Sequence, residues 1–385
     1  MTISFGVLAV LVVAGLLGPL LATLPRIAPP LVVGEILAGI AIGRSGFDWV
    51  DPNDATLVFL ASIGFAMLMF IVGTHLPLRD PAVTSSLIRG TAIAATTIAL
   101  AIPLGLGLAA VVGLHRPAIL ALLLASTSAA IALPVLQDMA VDGRVALVAT
   151  AWIAVADAAT VLGIPLVMAK GNTARAVVGC ALVIVIAAAA YGVARAIRNE
   201  RLVARLRAAS RQRGWALDLR ISLVVLFVLA WIAERNGASV LIAGFATGAI
   251  VSLLGEPRRV AQQLIGIGEG FFVPLFFVHL GTRLDLGQLA RQPRTIGLGA
   301  MLLAGSLAVH VLTAALWRVP LGYGLLATAQ LGVPSAVVSI GLTTGDVDPA
   351  QASAIMAAVL GSLALAAVGA TLLGHGERLT DRAAS

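Results

Sequence analysis

Charge is scarce in this chain and cysteine almost absent. Asp, Glu, Lys and Arg supply 11% of its 385 residues, against about a quarter in a soluble globular domain. A soluble domain able to present basic residues to nucleic acid is therefore excluded, and no nucleic-acid partner is expected despite the net charge of +7. The single cysteine, Cys180, sits in an apolar stretch, which rules out a disulfide framework and a multi-cysteine metal site and reads as a small buried hydrophobe. Five histidines, His75, His115, His279, His310 and His375, are scattered without ligand spacing, so no resident metal centre is expected. A glycine-rich phosphate loop is also missing, which argues against an ATP-driven pump. No cofactor and no enzymatic activity are expected.

What fills the chain instead is hydrocarbon. Apolar residues make up 60% of it and the mean hydropathy is +1.04, the composition of a polypeptide dissolved in lipid. A helix rising 1.5 Å per residue needs about 20 apolar residues to cross a bilayer. Thirteen candidate stretches satisfy this in whole or part: 4–24, 30–43, 55–76, 87–113, 117–136, 145–169, 176–197, 219–233, 238–254, 261–280, 295–317, 321–344 and 349–373. The second, eighth and ninth are short or closely abutted. The first has no basic flank and exceeds a signal-peptide core, so it is read as a membrane helix.

Lys and Arg in alternate loops set the orientation. With the longest basic run, Arg195 to Arg220, placed inside as a solvated loop facing anionic lipid head groups, most of the 25 basic residues fall on that side. The N-terminus is then outside and the C-terminus inside. Thirteen helices divide as six, one and six: a first repeat over 1–169, a linker helix and basic loop over 170–218, a second repeat over 219–375, and a short cytoplasmic tail over 376–385. The odd linker inverts the second six, the arrangement of an inverted-repeat transporter. The fifth helix carries Ser126-Thr127-Ser128 followed by Pro134, and the fifth of the second half carries Gly332-Val333-Pro334-Ser335. Interruptions at matching positions point to a site near the bilayer midplane, where broken helix ends expose backbone dipoles.

Asp157 is the one charge in the apolar run Val145 to Val167. A carboxylate at membrane depth costs about 3 kcal/mol on insertion scales, so the default reading is a transport site. One such group holds a proton or a monovalent cation but not both, and alternate exposure to the two sides gives exchange. With Asp157 as sole carrier each cycle is electroneutral. Thr127, Ser128 and carbonyls freed by the breaks would complete an oxygen shell for sodium or potassium. His310 has two readings, a pH-sensitive partner of Asp157 or a neutral ring bonded to a carbonyl. Ser335 is a further auxiliary candidate. Glu35 reads as structural or as an entrance residue.

Several stretches resemble the monovalent cation:proton antiporters, the sodium/hydrogen exchanger superfamily in its bacterial branch. They are Pro30-Leu31-Val32-Val33-Gly34-Glu35-Ile36-Leu37-Ala38-Gly39 with Gly43, Ile63-Gly64-Phe65 to Gly73, Ser126-Thr127-Ser128 to Leu136-Gln137-Asp138, Ala243-Gly244-Phe245-Ala246-Thr247-Gly248, and Gly270-Phe271-Phe272-Val273-Pro274 to Gly281. The resemblance implies a multi-pass protein of the bacterial inner membrane, a homodimer with a dimerisation domain and a moving core in which two broken helices cross beside an acidic one. It makes Asp157 the ion- and proton-carrying carboxylate. Ala156 stands where many relatives have a second acid or an amide, and His310 is the nearest candidate for the basic residue they often place on the eleventh helix. A sodium- or proton-coupled organic-anion symporter of similar fold, or a channel or sensor derived from an antiporter, are the competing functions.

Overall fold

Apolar side chains leave the backbone no water to bond to, so every N–H and C=O must find a partner within its own segment, and the helix is the open-chain solution. The computed structural model describes residues 4–23, 31–74, 81–112, 116–138, 144–168, 173–197, 200–236, 240–254 and 258–384, and all regular structure among them is helical. Each apolar stretch read from the sequence coincides with one helix or with a short succession of helices.

The chain begins with α1 (Phe5–Gly15), α2 (Leu17–Ala22) and α3 (Leu31–Ile42), followed by α4 (Ala55–Thr74) and the long α5 (Pro81–Val112). Next come α6 (Pro117–Ala125), α7 (Ala129–Asp138), α8 (Arg144–Met168), α9 (Thr173–Ile197), α10 (Arg201–Arg213), α11 (Leu217–Arg235) and α12 (Val240–Leu254). α13 (Arg258–Ile267) runs through a wide π-helical turn (Gly268–Phe272) into α14 (Val273–Thr282). The series closes with α15 (Leu286–Arg291), α16 (Pro293–Leu316), α17 (Leu321–Ala327), α18 (Gly332–Thr344) and α19 (Pro349–Ala384). Among the described residues nine helical spans are long and apolar enough to cross a membrane, and Leu31–Ile42 and Val240–Leu254 are shorter apolar helices. The remaining two sequence stretches are accounted for by charge at the ends of α11 and by the break between α6 and α7.

Proline and glycine explain the local departures. Pro19 has no N–H for the carbonyl of Gly15, where α1 ends. Pro274 likewise has none for Gly270, and the helix widens into the π turn just before it, closed by Val273 N–H on the carbonyl of Gly268. One expectation needs correction. The basic run is not a loop: α10 occupies Arg201–Arg213 and stops at Gly214, whose φ of 68° is left-handed, while Ser210 Oγ accepts from Leu217 N–H. At the C-terminal end, helical backbone continues to Ala384, the last residue of α19.

The helices group into two units that are each discontinuous in sequence. The first comprises Met1–Asp54, Asp80–Met168 and Phe277–Ser385. Its core gathers Ile93, Leu133, Trp152, Ile153, Tyr323 and Leu326. Two indoles are pinned to neighbouring hydroxyls of α5: Trp152 Nε1 donates to Thr97 Oγ1 at 3.0 Å and Trp317 Nε1 to Thr96 Oγ1 at 3.0 Å. α3 meets α14 backbone to backbone, since a Cβ on Gly39 would stand 2.1 Å from the carbonyl oxygen of Val278. The second unit comprises Ala55–Arg79 and Ala169–Phe276. In it Gly244 and Gly248 of α12 lie against the carbonyls of Ala66 and Phe70 of α4, the small-residue approach that substitutes for hydrophobic drive between helices in lipid.

Candidate ion-binding site

The polar centre of the first unit lies where α6 stops short. Ser126 turns to extended backbone (φ −69°, ψ 143°), and its hydroxyl and N–H both return to the carbonyl of Leu123, at 2.8 and 3.3 Å. Thr127 Oγ1 donates across to the carbonyl of Ile153 on α8 at 3.1 Å. The chain resumes helix at Ala129, whose N–H donates to Asp157 Oδ2 at 3.0 Å. In a continuous helix that N–H would serve the carbonyl of Ala125. The break therefore releases a carbonyl oxygen and turns a helix N-terminus, with its partial positive charge, toward the carboxylate.

Burial makes this arrangement consequential. Asp157 is 2% exposed, Thr127 0% and Ser128 3%. Thr160, one turn along α8, spends its hydroxyl on the carbonyls of Ala156 and Asp157. Among the described residues Asp157 has no ion-pair partner, whereas Arg116 pairs with Asp346 at 3.4 Å. A buried carboxylate held by one amide N–H retains lone pairs for a proton or a metal ion. The neighbouring oxygens are hydroxyl and carbonyl, the donor set of a hard cation.

A second interruption lies between α17 and α18, at Thr328 to Leu331. This corrects the helix-break residues. Gly332 and Pro334 fall in the first turn of α18, where a proline forfeits no helical bond, and the break precedes them. Pro134 lies within the helical backbone of α7, beyond the break at Ser126 to Ser128. Proline in both cases marks the helix that follows an interruption.

The auxiliary candidates are placed as follows. His310 on α16 is fully buried; its Nδ1 donates to the carbonyl of Ser306 at 2.8 Å, its ring stacks on Trp152 with centroids 6.2 Å apart, and Nε2 has no hydrogen-bond partner. This geometry is that of a neutral ring on a carbonyl, and not of a hydrogen-bonded partner to Asp157. Ser335, in the first turn of α18, is buried with Oγ unpartnered. Glu35 is 4% exposed in α3, packed against Gly18, with Oε2 unpartnered; it belongs to the α2–α3 contact and makes no bond to the breaks.

Sequence reasoning passed over Gln330. It is 6% exposed inside the second interruption, and Nε2 donates both to the carbonyl of Leu123 at 2.9 Å and to Ser306 Oγ at 2.6 Å. Its own N–H donates to Ser362 Oγ at 3.2 Å. The signal was available: Gln330 is the one amide side chain in the apolar stretch 321–344, and a buried amide is retained only with partners.

A buried acid thus lies at the mouth of a broken helix in a helical protein with many apolar spans. Residues 8–376 match the family described as sodium/hydrogen exchanger, transmembrane. The chain belongs to that family, the monovalent cation:proton antiporters, and is a multi-pass cell-membrane protein. It is 24% identical over 364 residues to YjbQ of Bacillus subtilis (strain 168), covering 88% of this chain and 58% of that one, so it spans little more than half of that relative. It is 25% identical over 321 residues to the Na(+)/H(+)-K(+) antiporter GerN of Bacillus cereus, covering 83% and 79% of the two chains. The fold is similar to that of the sodium proton antiporter MjNhaP1 from Methanocaldococcus jannaschii, with a TM-score of 0.60 at 17% identity over 96% of this chain and 97% of that one. Family members are transporters, not enzymes.

Proposed function

We propose that this protein is a secondary antiporter that exchanges sodium or potassium for protons by alternating access, with Asp157 binding cation and proton in competition. The observation that carries the reading is the 3.0 Å bond from Ala129 N–H to Asp157 Oδ2 at the broken end of the fifth sequence stretch. It sets a titratable group beside freed backbone. Thr127, Ser128 and the carbonyl of Ala125 supply further oxygens, and Ser335 and His310 lie among the auxiliary groups. Because one carboxylate carries either ligand, one cation is traded for one proton and no net charge crosses.

In this reading the chain crosses the inner membrane thirteen times as two inverted six-helix repeats joined by a linker helix, N-terminus outside and C-terminus inside, and works as a homodimer among anionic lipids. Relatives named as sodium and potassium antiporters support the choice of cargo. The test is exchange in everted vesicles carrying an imposed proton gradient: addition of sodium or potassium should alkalinise the lumen, and Asp157→Asn should reduce the response to that of empty vesicles. Normal exchange by the variant would overturn the reading. Stabilisation by an organic acid with no response to alkali cations would replace it with symport.

A further inference from the structure

We infer that Gln330 is a positioning residue that locks the second interruption onto the first and thereby sets the preference between sodium and potassium. This rests on the exchange reading above. The residues involved all lie within the first unit.

The last carbonyls of a helix lack intrahelical partners and move unless something holds them. In α6 that carbonyl is Leu123, which receives three donors: Ser126 N–H, Ser126 Oγ and Gln330 Nε2. Two come from the break itself. The third comes from a residue distant in sequence, on the other interrupted helix. The same nitrogen reaches Ser306 on α16, and a primary amide suits this task because it carries two N–H groups on one planar nitrogen. Gln330 is in turn held through its backbone by Ser362 of α19. The stump of α6 is thus fastened to α16 and α19 through one residue, by its side chain to the first and by its backbone to the second.

What hangs from that stump is the cation's environment. From Leu123 the chain runs through Ser126 to Thr127, bonded to Ile153, and on to Ala129, bonded to Asp157. Moving the Leu123 carbonyl moves the hydroxyls and the freed Ala125 carbonyl relative to Asp157. Selection between alkali cations depends on the size of the oxygen cage and on how many oxygens it offers. A looser tether favours the larger ion, potassium. Gln330 itself donates to protein acceptors through Nε2, so the role assigned to it is setting the cage and not supplying the charge.

The test uses the full-length protein reconstituted into liposomes, with initial exchange rates measured over a series of sodium and, separately, potassium concentrations at one pH. Gln330→Met keeps the volume and removes both donated bonds. Its KM for sodium should rise relative to that for potassium, moving the ratio of the two by about fivefold or more, the scale of one neutral hydrogen bond of roughly 1 kcal/mol. Gln330→Asn keeps the amide but shortens its reach, and should shift the ratio in the same direction; it serves if the Met variant does not fold, as judged by gel filtration in detergent. A purely structural role would lower kcat for both ions and leave the ratio alone. An unchanged ratio in a folded variant, with wild-type exchange intact, would overturn the inference by itself. A wild type that exchanges neither cation, or an Asp157→Asn variant that exchanges normally, would instead remove the transport reading beneath it.

Discussion

His310 donates through Nδ1 to the carbonyl of Ser306, one turn back on α16, at 2.8 Å. That bond fixes the tautomer with the proton on Nδ1 and leaves Nε2 as a bare acceptor. No charge pair to Asp157 is lost when the ring is replaced. His310→Gln should therefore retain exchange, with kcat/KM reduced less than about tenfold, a change of about 1.4 kcal/mol. Loss of exchange to background, measured in the same vesicles as wild type, would show that the imidazole carries a proton in the cycle.

The competition proposed at Asp157 has a sign. Protons occupy the carboxylate at low pH and displace the cation, so the apparent KM for sodium or potassium should rise as pH falls and approach a tenfold increase per pH unit where the protonated form dominates. The maximal rate at saturating cation should change far less. A KM independent of pH would mean that proton and cation use different groups.

In the proposed exchange, a single carrier carboxylate makes the cycle electroneutral. Initial rates with a membrane potential imposed, inside positive or inside negative, should match the rate at zero potential. A rate that follows the potential would require a second titrating group.

Thr97 Oγ1 is the acceptor for Trp152 Nε1 in the buried contact of α5 with α8. Thr97→Val keeps the shape and leaves the indole N–H unpaired, at a cost of about 1–3 kcal/mol. The unfolding temperature in detergent should fall, and Thr97→Ser should recover most of it.

Glycine positions divide sharply. Gly39→Ala would drive a methyl to 2.1 Å from the carbonyl of Val278, and the separation of α3 from α14 should cost about 1–3 kcal/mol as overpacking does. Gly107→Ala meets nothing within 4 Å and should be neutral or stabilise by up to about 1 kcal/mol through helix propensity. Thermal unfolding of the two variants side by side measures the difference.

The sequence made the helical elements legible because hydrocarbon length and backbone satisfaction leave little choice. Asp157 was legible for the same reason: a lone charge in an apolar run stands out. The exact place of the breaks was not. Pro134, Gly332 and Pro334 mark where helix resumes, and the unwound residues before them, Ser126 to Ser128 and Thr328 to Leu331, carry weaker local signals. Nor could the pattern show that Gln330 meets Leu123 and Ser306, since those bonds join residues far apart in the chain. The basic run was misread as a loop because Arg is as good a helix former as Leu, and polarity alone does not distinguish a solvated helix from a solvated turn.

The backbone contact between Gly39 and Val278 has a consequence for biogenesis. Ser45 Oγ to the carbonyl of Leu284, at 2.7 Å, and His279 Nε2 to the carbonyl of Pro52, at 2.9 Å, tie the same two regions together. Each joins residues more than two hundred positions apart. A ribosome must have released α14 before the N-terminal helices can dock, so α3 waits in the bilayer with its glycine face uncovered through most of synthesis. Mutations on that face are expected to act first on the yield of inserted protein and only afterwards on the rate of the finished transporter.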